Sequence, residues 1–189
     1  MQDILNEFPL SVNDNFPERQ RIQSATISCD IGNHEFHKCF NLTSVCIDSG
    51  RIGDFGFLRC YNLREVKISN KLSSLGVGVF RKCYSISSIS IPDQISSIPQ
   101  ETFFENKSLV EFKSPSGCVE IGEDSFAFCQ GLSSIHMNDG LLRINSSAFQ
   151  GCGRLSSIRI PDSVKHVDSC SFSGCKNLKV VECGRKIVG

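Results

Sequence analysis

The sequence predicts a solenoid of stacked coils that presents a parallel sheet on one face. Three observations predict it. An apolar motif recurs every 23 residues along most of the chain, one Phe recurs at a fixed place in each copy, and each copy contains a short alternation of apolar and polar residues. The copies begin at Ile31, Ile52, Leu75, Ile98, Ile121, Ile144 and Val167.

One spacing is therefore 21 residues and the other five are 23. A fixed period of roughly 20–29 residues with regularly placed Leu and Ile indicates a leucine-rich solenoid. A unit this short cannot bury its own apolar face and must stack on its neighbours. We expect residues 31–189 to form one curved slab of about seven 23-residue repeats, with a parallel β-sheet on one face.

The first thirty residues show the motif poorly and are expected to form an N-terminal cap with a degenerate first rung. Ile22 precedes the first copy by nine residues, as Ile89 precedes the copy at Ile98, which indicates a rung at residues 19–30. Residues 1–18 contain a small apolar group and are expected to form a short helix over the open end of the core.

Residues 144–166 show how one repeat is expected to fold. Ile158 and Ile160 alternate with a polar residue, which is typical of a strand with one buried face. Pro161 ends that strand, because Pro cannot extend the interior of a ladder. A return run follows, and then a short helical or bent segment at 148–152, where Gly151 and Gly153 permit sharp turning.

Two columns of equivalent residues define the expected core. A stacked Phe in each repeat would stabilise the fold by roughly 1.5–3 kcal/mol per ring. Six cysteines share the position three residues after the Phe, where free Cys behaves as a small buried hydrophobe. Asn106 takes the seventh place and is expected to bond to the backbone. The Phe column is Phe36, Phe57, Phe80, Phe103, Phe126, Phe149 and Phe172, and the Cys column is Cys39, Cys60, Cys83, Cys129, Cys152 and Cys175.

Composition and motifs argue against several classes of function. The 20 basic residues balance the 20 acidic ones, so no net field steers the chain to nucleic acid. No apolar stretch reaches the roughly 18 residues of a membrane span, and no N-terminal signal peptide is visible. The cysteines contain no Cys-x-x-Cys pair, which argues for reduced structural thiols and against zinc. His34 and His37 do not form a His-Glu-x-x-His motif and are expected to face solvent. We expect no catalytic, cofactor or metal site.

The repeat resembles the leucine-rich repeats of BspA-like proteins, also called the Treponema pallidum type. The segment from Ile121-Gly122 through Phe126 and Cys129 to Ile135 is a close instance, and seven copies cover residues 31–187. The resemblance implies a binding scaffold without a catalytic motif, and characterised relatives are surface proteins used in adhesion. Pro99 departs from the family pattern, as does Phe112-Lys113-Ser114, so the fourth repeat is expected to be irregular.

The strand position between the two buried residues must face solvent. We predict that this column forms a linear site for an anionic glycan or a protein ligand. The alternative is a solvated face on which Lys67 pairs diagonally with Glu65 or Glu111. The candidate ligand-facing residues are Lys67, Ser90, Lys113, His136 and Arg159.

Three functional hypotheses follow. The first is a recognition module at a cell surface, which the resemblance implies. The second is an intracellular protein-interaction scaffold, which the missing signal and reduced thiols favour. The third is a truncated copy of a longer repeat protein, because the chain stops at Gly189, where an eighth repeat would begin.

Overall fold

The structure is a computed structural model and describes residues 20–183. Within that range the chain forms about seven coils of parallel strands and no α-helix, which confirms the predicted solenoid. The helix expected at residues 1–18 lies outside the described residues. We number the coils from the motif starts, so that coil 3 is residues 75–97 and coil 4 is residues 98–120.

The coils form two parallel ladders, whereas one strand was expected in each repeat. The first ladder contains the predicted strand, and the second contains the return run. The strands of the first ladder are β1 (Ser24–Ile27), β2 (Ser44–Ile47), β4 (Glu65–Ile68), β7 (Glu111–Lys113), β9 (Ser134–His136), β11 (Ser157–Ile160) and β13 (Val180–Cys183). Those of the second ladder are β3 (Gly50–Ile52), β5 (Leu72–Leu75), β6 (Ser97–Ile98), β8 (Glu120–Ile121), β10 (Arg143–Ile144) and β12 (His166–Val167).

The register between coils keeps equivalent residues side by side. Val45 lies opposite Val66 in the first ladder, and Ile98 lies opposite Ile121 in the second. A slip of one residue would move every apolar side chain to the solvent face. A bulge between β3 and β5 accommodates the change in repeat length near the start of the solenoid. Gly50 lies opposite Leu72, whereas Arg51 lies opposite Ser74.

The segment between the second ladder and the Cys is bent rather than helical. Two residues four positions apart have positive φ in each coil, for example His34 (φ 57) and Lys38 (φ 59). Such residues interrupt a right-handed helix. The His34 N–H instead donates to the carbonyl of Asp54 in the next coil at 2.9 Å. Of the two glycines expected to permit sharp turning, Gly151 has a φ of 70, whereas Gly153 has no positive φ.

The Phe column is confirmed as the centre of the core. Six of its rings are buried, and neighbouring rings stack nearly parallel with centroids 5.1–5.9 Å apart. Phe172, in the last described coil, is only partly buried. Each coil therefore packs on the next through one ring.

The Cys column fastens one coil to the preceding one. Five of its six thiols donate to the carbonyl oxygen of the Phe one coil earlier, at 3.0–3.2 Å. The bonds join Cys60 to Phe36, Cys83 to Phe57, Cys129 to Phe103, Cys152 to Phe126, and Cys175 to Phe149.

Asn106 does not make the backbone bond that the sequence analysis expected. Its side chain is fully buried, and neither its amide nitrogen nor its amide oxygen has a hydrogen-bond partner. A thiol needs one acceptor, whereas an amide has two N–H donors and an acceptor oxygen. A buried position that suits a thiol among apolar neighbours does not provide hydrogen-bond partners for the N–H groups and the oxygen of an amide.

Prolines interrupt both ladders, so the continuous sheet expected from the sequence is divided. We call the contact between two neighbouring coils a joint. Where a joint is intact in the first ladder, the residue after the strand donates its N–H to the preceding coil, as Asp48 donates to the carbonyl of Ile27 at 2.8 Å. Pro92, Pro115 and Pro161 occupy this place and have no N–H to donate.

The breaks lie where those prolines stand. Segment 86–91 pairs with neither β4 nor β7, and β9 does not pair with β11. In the second ladder the N–H of Gly76 donates to the carbonyl of Ile52 at 2.7 Å, and the N–H of Gly122 donates to the carbonyl of Ile98 at 2.8 Å. Pro99 takes the equivalent place between them, and β5 does not pair with β6. Each break among residues 20–183 therefore coincides with one proline.

Asn106→Cys is expected to raise the free energy of unfolding by about 1–3 kcal/mol, because it removes a buried, unsatisfied amide. The new thiol can donate to the carbonyl of Phe80, as its equivalents do in other coils. Urea unfolding followed by circular dichroism measures the change. The reverse substitution, Cys129→Asn, is the matched control and should destabilise by a similar amount. A less stable Asn106→Cys protein would contradict this account of the column.

Candidate ligand-binding face

The structure places the five predicted ligand-facing residues on the exposed face of the first ladder. Lys113 lies directly opposite His136 in the parallel register of β7 and β9. Lys67 lies in β4 and Arg159 in β11, while Ser90 lies in the unpaired segment 86–91. All five side chains are exposed, so a partner in solution can reach the whole column.

The basic side chains of this column have no ionic partner in the described part of the chain. The ion pairs of residues 20–183 join Arg51 to Asp30, Arg81 to Glu101 and Lys82 to Glu105, and none involves the column. The diagonal pairing of Lys67 with Glu65 or Glu111, which was the alternative interpretation, does not occur within 4.0 Å. The ammonium and guanidinium groups are therefore available to an external anion.

The face also carries negative charge close to the column. Glu65 and Glu111 are exposed and lie two residues before Lys67 and Lys113 on the same strands. Asp93 accepts a hydrogen bond from the backbone N–H of Ser116 at 2.7 Å. That bond, helped by the nearby ammonium of Lys113, holds the pKa of Asp93 below its usual value. A ligand therefore meets alternating charges rather than a uniform basic surface.

A small cleft opens where β9 and β11 fail to pair. Its volume is about 130 Å³. Pockets for whole small molecules span roughly 300–1,000 Å³, so this cleft has room for a single side chain or a similar group of a larger partner. It is lined by Ile135, His136, Met137, Asp139, Arg159 and Pro161.

His136 and Arg159 belong to the column predicted from the sequence, whereas the other four residues of the cleft were not predicted. Pro161 is the sequence signal that could have located it, because a proline at the end of a strand removes the N–H that closes the ladder. Ser134 further orders one wall, since its hydroxyl lies 3.2 Å from Nε2 of His136.

A column of aromatic rings also escaped the sequence analysis. Phe40, Tyr61 and Tyr84 each follow a Cys of the core column and stack at 5.2 and 4.9 Å. The ammonium of Lys107 lies 4.7 Å from the Tyr84 ring centroid. Because these ring faces cover each other, the column is a structural stack and does not offer a flat platform to a sugar or base.

The two histidines near the start of the repeats are half-buried, whereas the sequence analysis expected them to face solvent. The ring of His34 stacks on Phe55 with centroids 5.1 Å apart, and it lies 5.7 Å from the His37 ring. No group of three or more His, Cys, Asp or Glu side chains comes together between residues 20 and 183 in a way that could hold a metal ion.

The cysteines form no disulfides, and the core thiols are poor nucleophiles. All eleven cysteines lie in residues 20–183, and none of them is joined to another by a disulfide. Burial raises the pKa of Cys129 to about 12 and also raises the pKa of Cys60 well above its ordinary value. Since the thiolate is the reactive form, these residues act as hydrogen-bond donors in the core.

Comparison with known proteins identifies the family. The family described as the BspA type leucine rich repeat region matches residues 29–152 and 101–188, in six copies. The chain belongs to this family. Leucine-rich repeats of this family are typically non-enzymatic binding modules, and the resemblance noted from the motif is confirmed. No curated protein matches the chain.

Solved structures of bacterial leucine-rich repeat proteins share the fold. A leucine rich cell surface protein from Faecalibacterium prausnitzii is 25% identical, with a TM-score of 0.75 over 84% of this chain and 47% of that one. The T. pallidum leucine rich repeat protein is 23% identical, with a TM-score of 0.59 over 86% and 70%. A leucine-rich repeat protein from Eubacterium ventriosum is 20% identical, with a TM-score of 0.69 over 84% and 44%. The chain thus spans about half the length of the F. prausnitzii protein.

The described residues, 20–183, include no helix with the length and apolar character needed to cross a bilayer.

The raised thiol pKa predicts a loss of stability at alkaline pH. Folding raises the pKa of Cys129, so the stabilisation is complete below the pKa of the unfolded chain, near 9, and is lost as the pH rises toward about 12. Urea unfolding at several pH values in this window should show a falling free energy of unfolding. The Cys129→Ala variant should fall less steeply, and equal slopes for the two proteins would contradict the prediction.

Proposed function

We propose that this chain is a non-enzymatic recognition module that binds an anionic glycan or an acidic protein segment on the exposed face of the first ladder. The observation that carries the proposal is the column of exposed basic side chains without ionic partners. Lys67, Lys113 and Arg159 are fixed on strands, so the protein loses little backbone freedom when it binds.

The dimensions of the column favour an extended ligand. Lys67 and Arg159 are four rungs apart, which corresponds to about 19 Å at the usual strand spacing. Lys113 and His136 lie between them. A polymer with repeated negative groups can contact several rungs at once, and such linked contacts strengthen binding without any single strong contact.

The cleft between β9 and β11 supplies an anchor at one end of this site. It combines the positive group of Arg159 and the imidazole of His136 with the apolar side chains of Ile135, Met137 and Pro161. A carboxylate-bearing side chain or an acidic sugar group can place its charge at Arg159 and its carbon atoms against the apolar residues. Asp139 disfavours a ligand that carries negative charge alone at this point.

Adhesion at a cell surface is the setting that we propose for this binding. The F. prausnitzii structure is described as a leucine rich cell surface protein, which supports it. An intracellular scaffold remains the second candidate, because eleven cysteines without a disulfide suit a reducing compartment. Protease treatment of intact cells separates the two, since only a displayed protein is cut.

Replacing Lys67, Lys113 and Arg159 together by Ser should abolish retention on immobilised heparin at low salt and on immobilised polyglutamate. The matched control replaces Lys71, Arg143 and Lys165, which are exposed and lie in or beside the second ladder. It removes the same charge and should leave retention nearly unchanged.

Two results would reject the column as the binding site. One is a wild-type protein that neither resin retains. The other is an equal loss of retention in the control protein, because this would show that net charge alone decides binding.

A further inference from the structure

The joint between coils 3 and 4 is interrupted in both ladders, and the ladder pair that it keeps is Ser97 with Glu120. In the second ladder β5 does not pair with β6, and in the first ladder segment 86–91 does not pair with β7. At the joint between coils 2 and 3 the first ladder is also interrupted, while Ile52 still lies opposite Leu75 in the second.

Two prolines account for the double break. Pro99 stands where Gly122 and Asn145 donate their N–H to the preceding coil at 2.8 and 2.9 Å. Pro115 stands where Ser69 donates to Ile47 at 2.9 Å. The backbone bonds that remain across this joint lie partly in the turns, for example from Phe80 to Thr102 at 3.0 Å. Others lie where the strand segments begin, from Val110 to Ser87 at 3.1 Å and from Val119 to Ser96 at 2.8 Å.

The core is also weaker at this joint. The rings of Phe80 and Phe103 are 5.9 Å apart, the widest spacing in the Phe column. Asn106 stands where a thiol would donate to the carbonyl of Phe80, and its amide makes no hydrogen bond. Ladder pairing, ring stacking and the thiol bond are therefore all reduced or absent at the same place.

Charged side chains on the turn side span this joint instead. Arg81 pairs with Glu101, and Lys82 pairs with Glu105 at 3.2 Å. The guanidinium of Arg81 also lies 4.5 Å from the centroid of the Phe104 ring.

The Lys107–Tyr84 contact joins the same two coils. Two of the three ion pairs, and both cation–π contacts, between residues 20 and 183 thus lie at this one joint.

We propose that the joint between coils 3 and 4 is a hinge, held closed on its turn side by ion pairs, that divides the solenoid into two cooperative units, residues 20–97 and 98–183. The stability of a repeat protein is a sum of the stabilities of its units and of the interfaces between neighbours. A single weak interface therefore separates the two sides into units that open independently.

The hinge divides the basic column as well. It falls between Ser90 and Lys113, so opening changes the distance from Lys67 to the group formed by Lys113, His136 and Arg159. One protein can then fit ligands whose charges are spaced differently. The hinge itself rests on the packing of the coils and stands whether or not the column binds an anion.

Hydrogen exchange measured by mass spectrometry on the whole chain, over a series of urea concentrations, tests the proposal. Peptides from 20–97 and from 98–183 should lose protection at two different urea concentrations. The separation should widen in about 1 M NaCl, where the Debye length is only about 3 Å. Loss of protection in both units at the same urea concentration, at low and at high salt, would overturn the hinge.

A repaired protein gives the complementary test. Pro99→Asn and Pro115→Ser together restore both donors and should merge the two transitions into one. Pro161→Ser is the matched control, because it removes a proline at a joint where the second ladder is intact. It should leave the two transitions separate. Equal effects of the repair and the control would overturn the proposal.

The ion pairs are tested separately by Glu101→Gln with Glu105→Gln, which should widen the gap between the transitions. Asp30→Asn removes the exposed pair with Arg51 outside the hinge and should leave the gap unchanged. A gap that responds equally to both changes would show that these ion pairs do not hold the hinge.

Discussion

The structure depends on the stacking of each coil on the next in register. Among residues 20–183 no coil contains a hydrogen-bonded sheet of its own, because every strand pairs only with strands of neighbouring coils. The same register aligns the phenylalanine rings and brings each core thiol to a carbonyl one coil away. A change in the spacing between coils would therefore disturb the sheet, the core and the thiol bonds together.

Prolines modify this regular stacking in a way that relates directly to the candidate functions. A proline at the end of a strand leaves one carbonyl of the preceding coil without its donor. At Pro161 the result is a local cleft beside an otherwise intact joint. At Pro99 and Pro115 both ladders of one joint are interrupted, and charged side chains at the turns add contacts across it. One chemical feature thus accounts for both the anchor and the hinge.

The chemistry of the surface suits recognition better than catalysis. Core thiols are kept protonated by burial, and the exposed basic residues of the first ladder have no ionic partners. Rigid strands hold those residues at a regular spacing, which favours a repeating ligand. Glu65 and Glu111 lie close to the column, so the negative charges of such a ligand must be spaced to avoid these two carboxylates.

The sequence by itself determined the solenoid, the Phe and Cys columns and the exposed position of Lys67, Lys113 and Arg159. A period states which residues are equivalent, and equivalent residues in a stacked repeat must share an environment. The repeat period does not show in which direction each backbone N–H group points. The second ladder, the unsatisfied amide of Asn106, the cleft and the double break were decided by tertiary structure, because a missing donor matters only where the neighbouring coil presents an acceptor to it.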